Sequence, residues 1–121
     1  MNVIKEIENG INNCNYLLEN DIANAKEHKL YYSDEVDTLI KANEKFMNVK
    51  AKELEEWCNA SEIVWNMPQS NIILRIKRKI LMSIANNYIN KLSGEMARSG
   101  RAQEELEKIR SRFDGFLYLT T

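Results

Sequence analysis

Apolar residues recur along this chain at steps of three and four, the spacing of one face of an α-helix. Three long helical segments follow from that pattern. The first covers about residues 2–29, where Ile4, Ile7, Ile11, Cys14, Leu18, Ile22 and Ala25 form a narrow stripe like a coiled-coil seam. Six asparagines between Asn9 and Asn24, together with Gly10, disfavour a free-standing helix there, so it depends on packing against neighbours. The pattern then breaks near Tyr31-Tyr32-Ser33. Ser33 reads as an N-cap, with Asp34 and Glu35 in the following first turn.

The second segment, about residues 34–65, carries the stripe Val36, Leu39, Ile40, Phe46, Met47, Ala51, Leu54, Trp57, Cys58, Val64 and Trp65. Asn43, Lys50 and Ser61 interrupt it. A buried polar residue in such a seam can set register. The reading favoured for these three is that they face a wet groove. Asn66 to Ser70, with the chain's one proline at Pro68, forms a short connection. Ser70 reads as the cap of the third segment, which lies antiparallel to the second.

The third segment starts at Asn71. Its apolar residues from Ile72 to Leu92 cover well over half of the helix circumference, as in a central helix or one with a second buried face. Gly94 and Gly100 predict a bend or break, with helix resuming from Arg101 to Phe113. Asp114-Gly115 then ends it, leaving a short apolar tail over residues 114–121 that either docks on the bundle or binds a partner. The expected fold is all-α: an elongated antiparallel bundle of three long helices, the third either continuous or, as favoured, broken in two at residues 71–92 and 101–113, forming a single domain over residues 1–121.

Composition adds an asymmetry. The 121 residues carry 17 basic and 18 acidic side chains, a net charge of −1. Residues 1–70 are net −6 and residues 71–121 net +5. Such a split suits a nucleic-acid-binding end, or two halves that pair with one another or with another copy.

The chemistry is sparse. His28 is the only histidine and reads as a helix-terminal cation rather than a general base. No Glu-x-x-His pair, glycine-rich phosphate loop or cysteine spacing for zinc occurs, so the expectation is no enzyme, no metal and no cofactor. Cys14 and Cys58, both on apolar stripes, read as small core residues. The start of the chain lacks a signal-peptide pattern and no apolar run reaches membrane-spanning length, which predicts a cytoplasmic protein with no membrane contact.

Two binding readings follow. The leading one is a protein–protein interaction module (adaptor, inhibitor or chaperone-like binder), dimeric itself. It would act through Trp65, Met67 and the tail residues Phe116, Leu117, Tyr118 and Leu119, since tryptophan favours interface hot spots and the tail is apolar. The alternative is nucleic-acid binding through Arg75, Arg78, Lys79, Arg98 and Arg101. No aromatic residues interleave that basic run as stacking platforms.

Overall fold

In a computed structural model that describes residues 2–119, with side chains described for 2–116, the chain is all-α. Four helices follow in order: α1 (Val3–Asn20), α2 (Ile22–Glu27), α3 (Lys29–Trp65) and α4 (Ile72–Leu119). No strand occurs among the described residues. The chain packs as two compact units, Met1–Met47 with Arg98–Thr121, and Asn48–Ala97.

The first unit contains the core. One face of α1 supplies Ile4, Ile7, Ile11, Cys14 and Leu18, the stripe expected from periodicity, and α2 supplies Ala25. Val36 and Ile40 of α3 join them, with Ala102, Leu106, Ile109, Phe113 and Phe116 of α4. Asn2 caps α1, its side chain accepting from the Lys5 N–H at 3.3 Å. Gly10 allows α1 to approach α3 closely, since a Cβ there would stand 2.8 Å from a Leu39 methyl.

The helix break lies at Asp21 and His28, not at Tyr31-Tyr32-Ser33. Asn20 donates its side-chain amide to the Tyr16 carbonyl, and the Asp21 carboxylate accepts from Asn24 N–H. These local bonds compete with the helical ladder and restart it as α2. Ser33 lies inside α3, and Thr38 donates back to the Asp34 carbonyl as in continuous helix.

Two further expectations are corrected in α4. It runs without a break through Gly94 and Gly100, and through Asp114-Gly115 to Leu119, so residues 114–119 continue the helix rather than forming a separate segment. A Cβ added at Gly94 or Gly100 would meet no atom within 4 Å, and no described glycine has positive φ. Neither glycine therefore serves packing or backbone geometry. Gly94→Ala and Gly100→Ala are each expected to raise stability by about 0.5–1 kcal/mol through helix propensity. Urea unfolding of the two variants checks this, and a loss of stability at either position refutes it.

The polar interruptions of the α3 stripe resolve differently from the favoured reading. Asn43 is 1% exposed, and both its donors and its oxygen are engaged: Nδ2 donates to the Ser99 carbonyl and to Gln103 Oε1, each at 3.0 Å, and Oδ1 accepts from Ser99 Oγ at 2.7 Å. It is a satisfied buried polar residue rather than one facing a wet groove. Lys50 and Ser61 are half-buried, Lys50 between Glu53 and Glu95, and Ser61 beside Met82.

Candidate functional site

The second unit is a helical hairpin. Lys50 pairs with Glu95, Trp57 stacks on Tyr88, Ser61 meets Met82, and Trp65 contacts Arg78. Residue numbers rise on one helix as they fall on the other, the register of an antiparallel pair. The Trp57 and Tyr88 rings lie 4.4 Å apart and nearly parallel. In this unit only Ala85 and Leu92 are fully buried.

That shortage follows from geometry. Two helices bury one stripe each, whereas α4 is apolar over more than one stripe. Leu74, Leu81, Met82, Ala85, Ile89 and Leu92 turn inward to varying depth. Ile72, Ile73, Ile76, Ile80 and Ile84 remain between 44% and 73% exposed. The spacing 73, 76, 80, 84 places four of them in one line along the helix. Ile63 of α3, 72% exposed, lies at the level of Ile80 in the hairpin register. Scattered exposed apolar residues are ordinary, whereas a contiguous row of isoleucines in water is not.

The charge beside this row has one sign. No Asp or Glu occurs from Asn66 to Gly94, while Arg75, Lys77, Arg78, Lys79 and Lys91 do. Two of these cations hold the hairpin turn. The Arg78 guanidinium lies 4.1 Å from the Trp65 ring centroid, and its Nε donates to the Trp65 carbonyl at the end of α3. Arg75 Nε donates to the Gln69 carbonyl. The cap of α4 is Asn71 rather than Ser70, its side chain accepting from Leu74 N–H at 2.9 Å.

The expected binding residues fall into separate groups. Trp65 is 61% exposed at the hairpin end and Met67 is half-buried beside it. Phe116, expected on a tail that docks on the bundle or binds a partner, is docked: it is 7% exposed, edge-on to Phe113 and under the Lys26 ammonium. The side chains of Leu117, Tyr118 and Leu119 lie outside the described residues. Among the basic residues of the alternative, Arg75, Arg78 and Lys79 belong to the hairpin, whereas Arg98 and Arg101 belong to the first unit. Arg98 is committed there to Glu8 through a two-nitrogen contact, one arm at 3.3 Å. That hydrogen bond, helped by the charges of Arg98 and Arg101, holds the Glu8 carboxyl below its usual range against a smaller opposing effect of burial.

Cys14 is buried, and burial with the nearby Glu35 carboxylate pushes its thiol pKa up, as suits a core residue. Cys58, expected in the core, is exposed instead. The α3 stripe on which it lies has only one neighbouring helix to cover it in the hairpin. His28 is exposed at the junction of α2 and α3. Among the described residues no group of three His, Cys, Asp or Glu side chains could hold a metal ion, and no helix is long and apolar enough to cross a membrane.

Comparison with protein-family models, with curated proteins and with solved structures finds no match. The functional reading therefore rests on the residues themselves.

Proposed function

We propose that this protein is a non-enzymatic protein–protein interaction module of the adaptor, inhibitor or chaperone-like kind, an antiparallel helical bundle whose binding surface is the isoleucine row of α4 with Trp65 at the end of the hairpin. The exposure of Ile73, Ile76, Ile80 and Ile84 in one line carries this reading. Covering such a row would contribute on the order of 5 kcal/mol, taking about half of the 1.5–3 kcal/mol for each fully buried aliphatic side chain. The partner surface is apolar and flanked by carboxylates, because the row is flanked on its own helix by Lys77 and Lys79, with no acidic residue in α4 before Glu95. A second copy is the simplest such partner: the α3 part of the hairpin bears Glu53, Glu55, Glu56 and Glu62. A dimer laying α4 of one copy over α3 of the other would match charge as well as apolar surface. Two free cysteines, one of them exposed, suit a reducing compartment, and we place the protein in the cytoplasm.

Light scattering across a concentration series tests the surface. The native chain is expected to give a dimeric mass, and the double variant Ile76→Asp/Ile80→Asp a monomeric mass with an unchanged helical spectrum. The substituted positions are more than half exposed, so folding is expected to hold to within about 0.5 kcal/mol. Removing two central apolar anchors is expected to weaken association about 30-fold or more. A native chain that is monomeric throughout, and that captures the same proteins as the double variant, defeats the reading.

The nucleic-acid alternative draws support from the single-sign charge of α4 near the hairpin turn. It is weakened by the engagement of Arg78 with Trp65 and of Arg98 with Glu8. A salt titration with generic duplex and single strands separates the two readings, since phosphate contacts give a steep salt dependence and an apolar interface does not.

A further inference from the structure

The first unit holds a second surface, independent of the isoleucine row. α1 and the first turns of α3 enclose an open groove of about 840 Å³. Its floor is apolar, made of Leu17, Leu39 and the Cys14 thiol, which burial keeps in its neutral form. Three aromatic rings, Tyr16, Tyr31 and Tyr32, stand around it, with Asp34 and Glu35 beside them. No Lys, Arg or His lines it.

Two details give this groove the character of a binding site. Tyr16 and Tyr31 leave 69% and 60% of their surface exposed, so the core of the unit does not need their rings. The Tyr31 ring is nevertheless fixed. Its hydroxyl donates to Glu35 Oε1 at 2.8 Å, and it meets the Tyr32 ring edge-on at 5.2 Å. Tyr32 in turn stacks on the buried Phe113. A ring oriented at little further entropic cost is a preorganised contact for a ligand. Aromatic faces are electron-rich, and two carboxylates without a facing cation give the groove one electrostatic sign. The enclosed volume matches that of sites for small organic molecules, about 300–1,000 Å³.

We infer that this groove binds a small organic cation, with the ammonium held among Tyr16, Tyr31, Asp34 and Glu35 and the hydrocarbon body on Leu17 and Leu39. Neutral molecules of the same shape retain only the apolar part of the contact. Anions meet the carboxylates and are rejected.

Titration of the full chain with 2-phenylethylammonium, followed by calorimetry and by amide shifts of α1 and α3, tests the assignment. Saturable binding is expected, about tenfold tighter than for 2-phenylethanol, with no binding of phenylacetate. Tyr31→Ala and the double variant Asp34→Asn/Glu35→Gln are each expected to weaken it at least about fivefold, the fold-change of a single lost cation–aromatic or charge contact. These side chains are exposed, so an unchanged melting temperature identifies the loss as one of binding. Equal affinity for the ammonium and the alcohol overturns the proposal, as does binding indifferent to all three substitutions. An oligoarginine peptide is the competing occupant: if it shifts the same amides while 2-phenylethylammonium does not, the groove docks a basic protein segment and the proposal fails.

Discussion

Phe113→Ala is expected to cost about 3–5 kcal/mol of stability, the range for deleting a fully buried aromatic side chain. Phe113 is 0% exposed at the centre of the one large core of the molecule, and two other rings depend on it. Tyr32 stacks on it at 5.9 Å, and Phe116 meets it edge-on at the same distance. Its removal forfeits the transfer of one ring from water and two aromatic contacts, and it leaves a cavity beside Tyr32 and Phe116 within the buried cluster. Against a total of about 5–15 kcal/mol for a domain, that is a large fraction. The melting temperature is expected to fall by roughly 10–20 °C. Tyr31→Ala, which removes a ring 60% exposed, serves as the control and is expected to leave the melting temperature nearly unchanged. A loss below about 1 kcal/mol for Phe113→Ala would mean that the C-terminal part of α4 does not seal the core. Deleting residues 116–121 removes Phe116 from this aromatic cluster, so it is expected to lower stability before it affects any partner.

How far the sequence could be read divides along a physical line. The first stripe was legible in all but one residue: Ile4, Ile7, Ile11, Cys14, Leu18 and Ala25 are buried, because a narrow apolar face has only one way to hide, whereas Ile22, just past the break at Asp21, is 46% exposed. The all-α class followed from the same periodicity. Local signals failed where two of them competed. Ser33 and Asp21 both have N-cap chemistry, and only the local bonds of Asn20 and Asp21 decide which one interrupts the helix. Gly94 and Gly100 were read as breaks by propensity. At about 1 kcal/mol each, that penalty is too small to interrupt a 48-residue helix whose remaining bonds propagate through it. The exposed apolar surface was legible in part. The excess apolar arc of α4 was visible, and so was the exposure expected for Trp65. Periodicity reports which residues need covering but not whether this chain covers them. Phe116 is therefore covered and Ile73 is not, although both are simply apolar in the sequence. The tyrosine groove gave no signal, since Tyr16 and Tyr31 belong to helices that only tertiary packing places side by side.

Asn43 is the position where a non-local fact decides a local one, and its substitution carries the second large expected effect. Nothing near Asn43 in the chain distinguishes a solvated asparagine from a buried one. Its partners Ser99 and Gln103 lie 56 and 60 residues away. Asn43→Leu keeps the approximate size but leaves the buried Ser99 hydroxyl and the half-buried Gln103 side-chain oxygen without their partner. The expected cost is about 2–3 kcal/mol, the penalty of orphaned buried polar groups offset only partly by the added apolar contact. Asn43→Asp is expected to cost more at neutral pH, because a buried carboxylate would face two acceptors with no donor of its own. Ser99→Ala removes a single hydroxyl and is expected to cost about 1 kcal/mol. The decisive measurement is the double variant Asn43→Leu/Ser99→Ala in a urea-unfolding cycle. Once the Ser99 hydroxyl is gone, leucine at 43 orphans one group fewer, so the double variant is expected to be at least about 1 kcal/mol more stable than the sum of the singles predicts. Additive singles would show that the network is geometrically present but energetically idle. Coupling of the expected size would mean that these side chains select one register of α3 against α4, since a slip of one turn on either helix leaves the buried Asn43 and Ser99 side chains without each other.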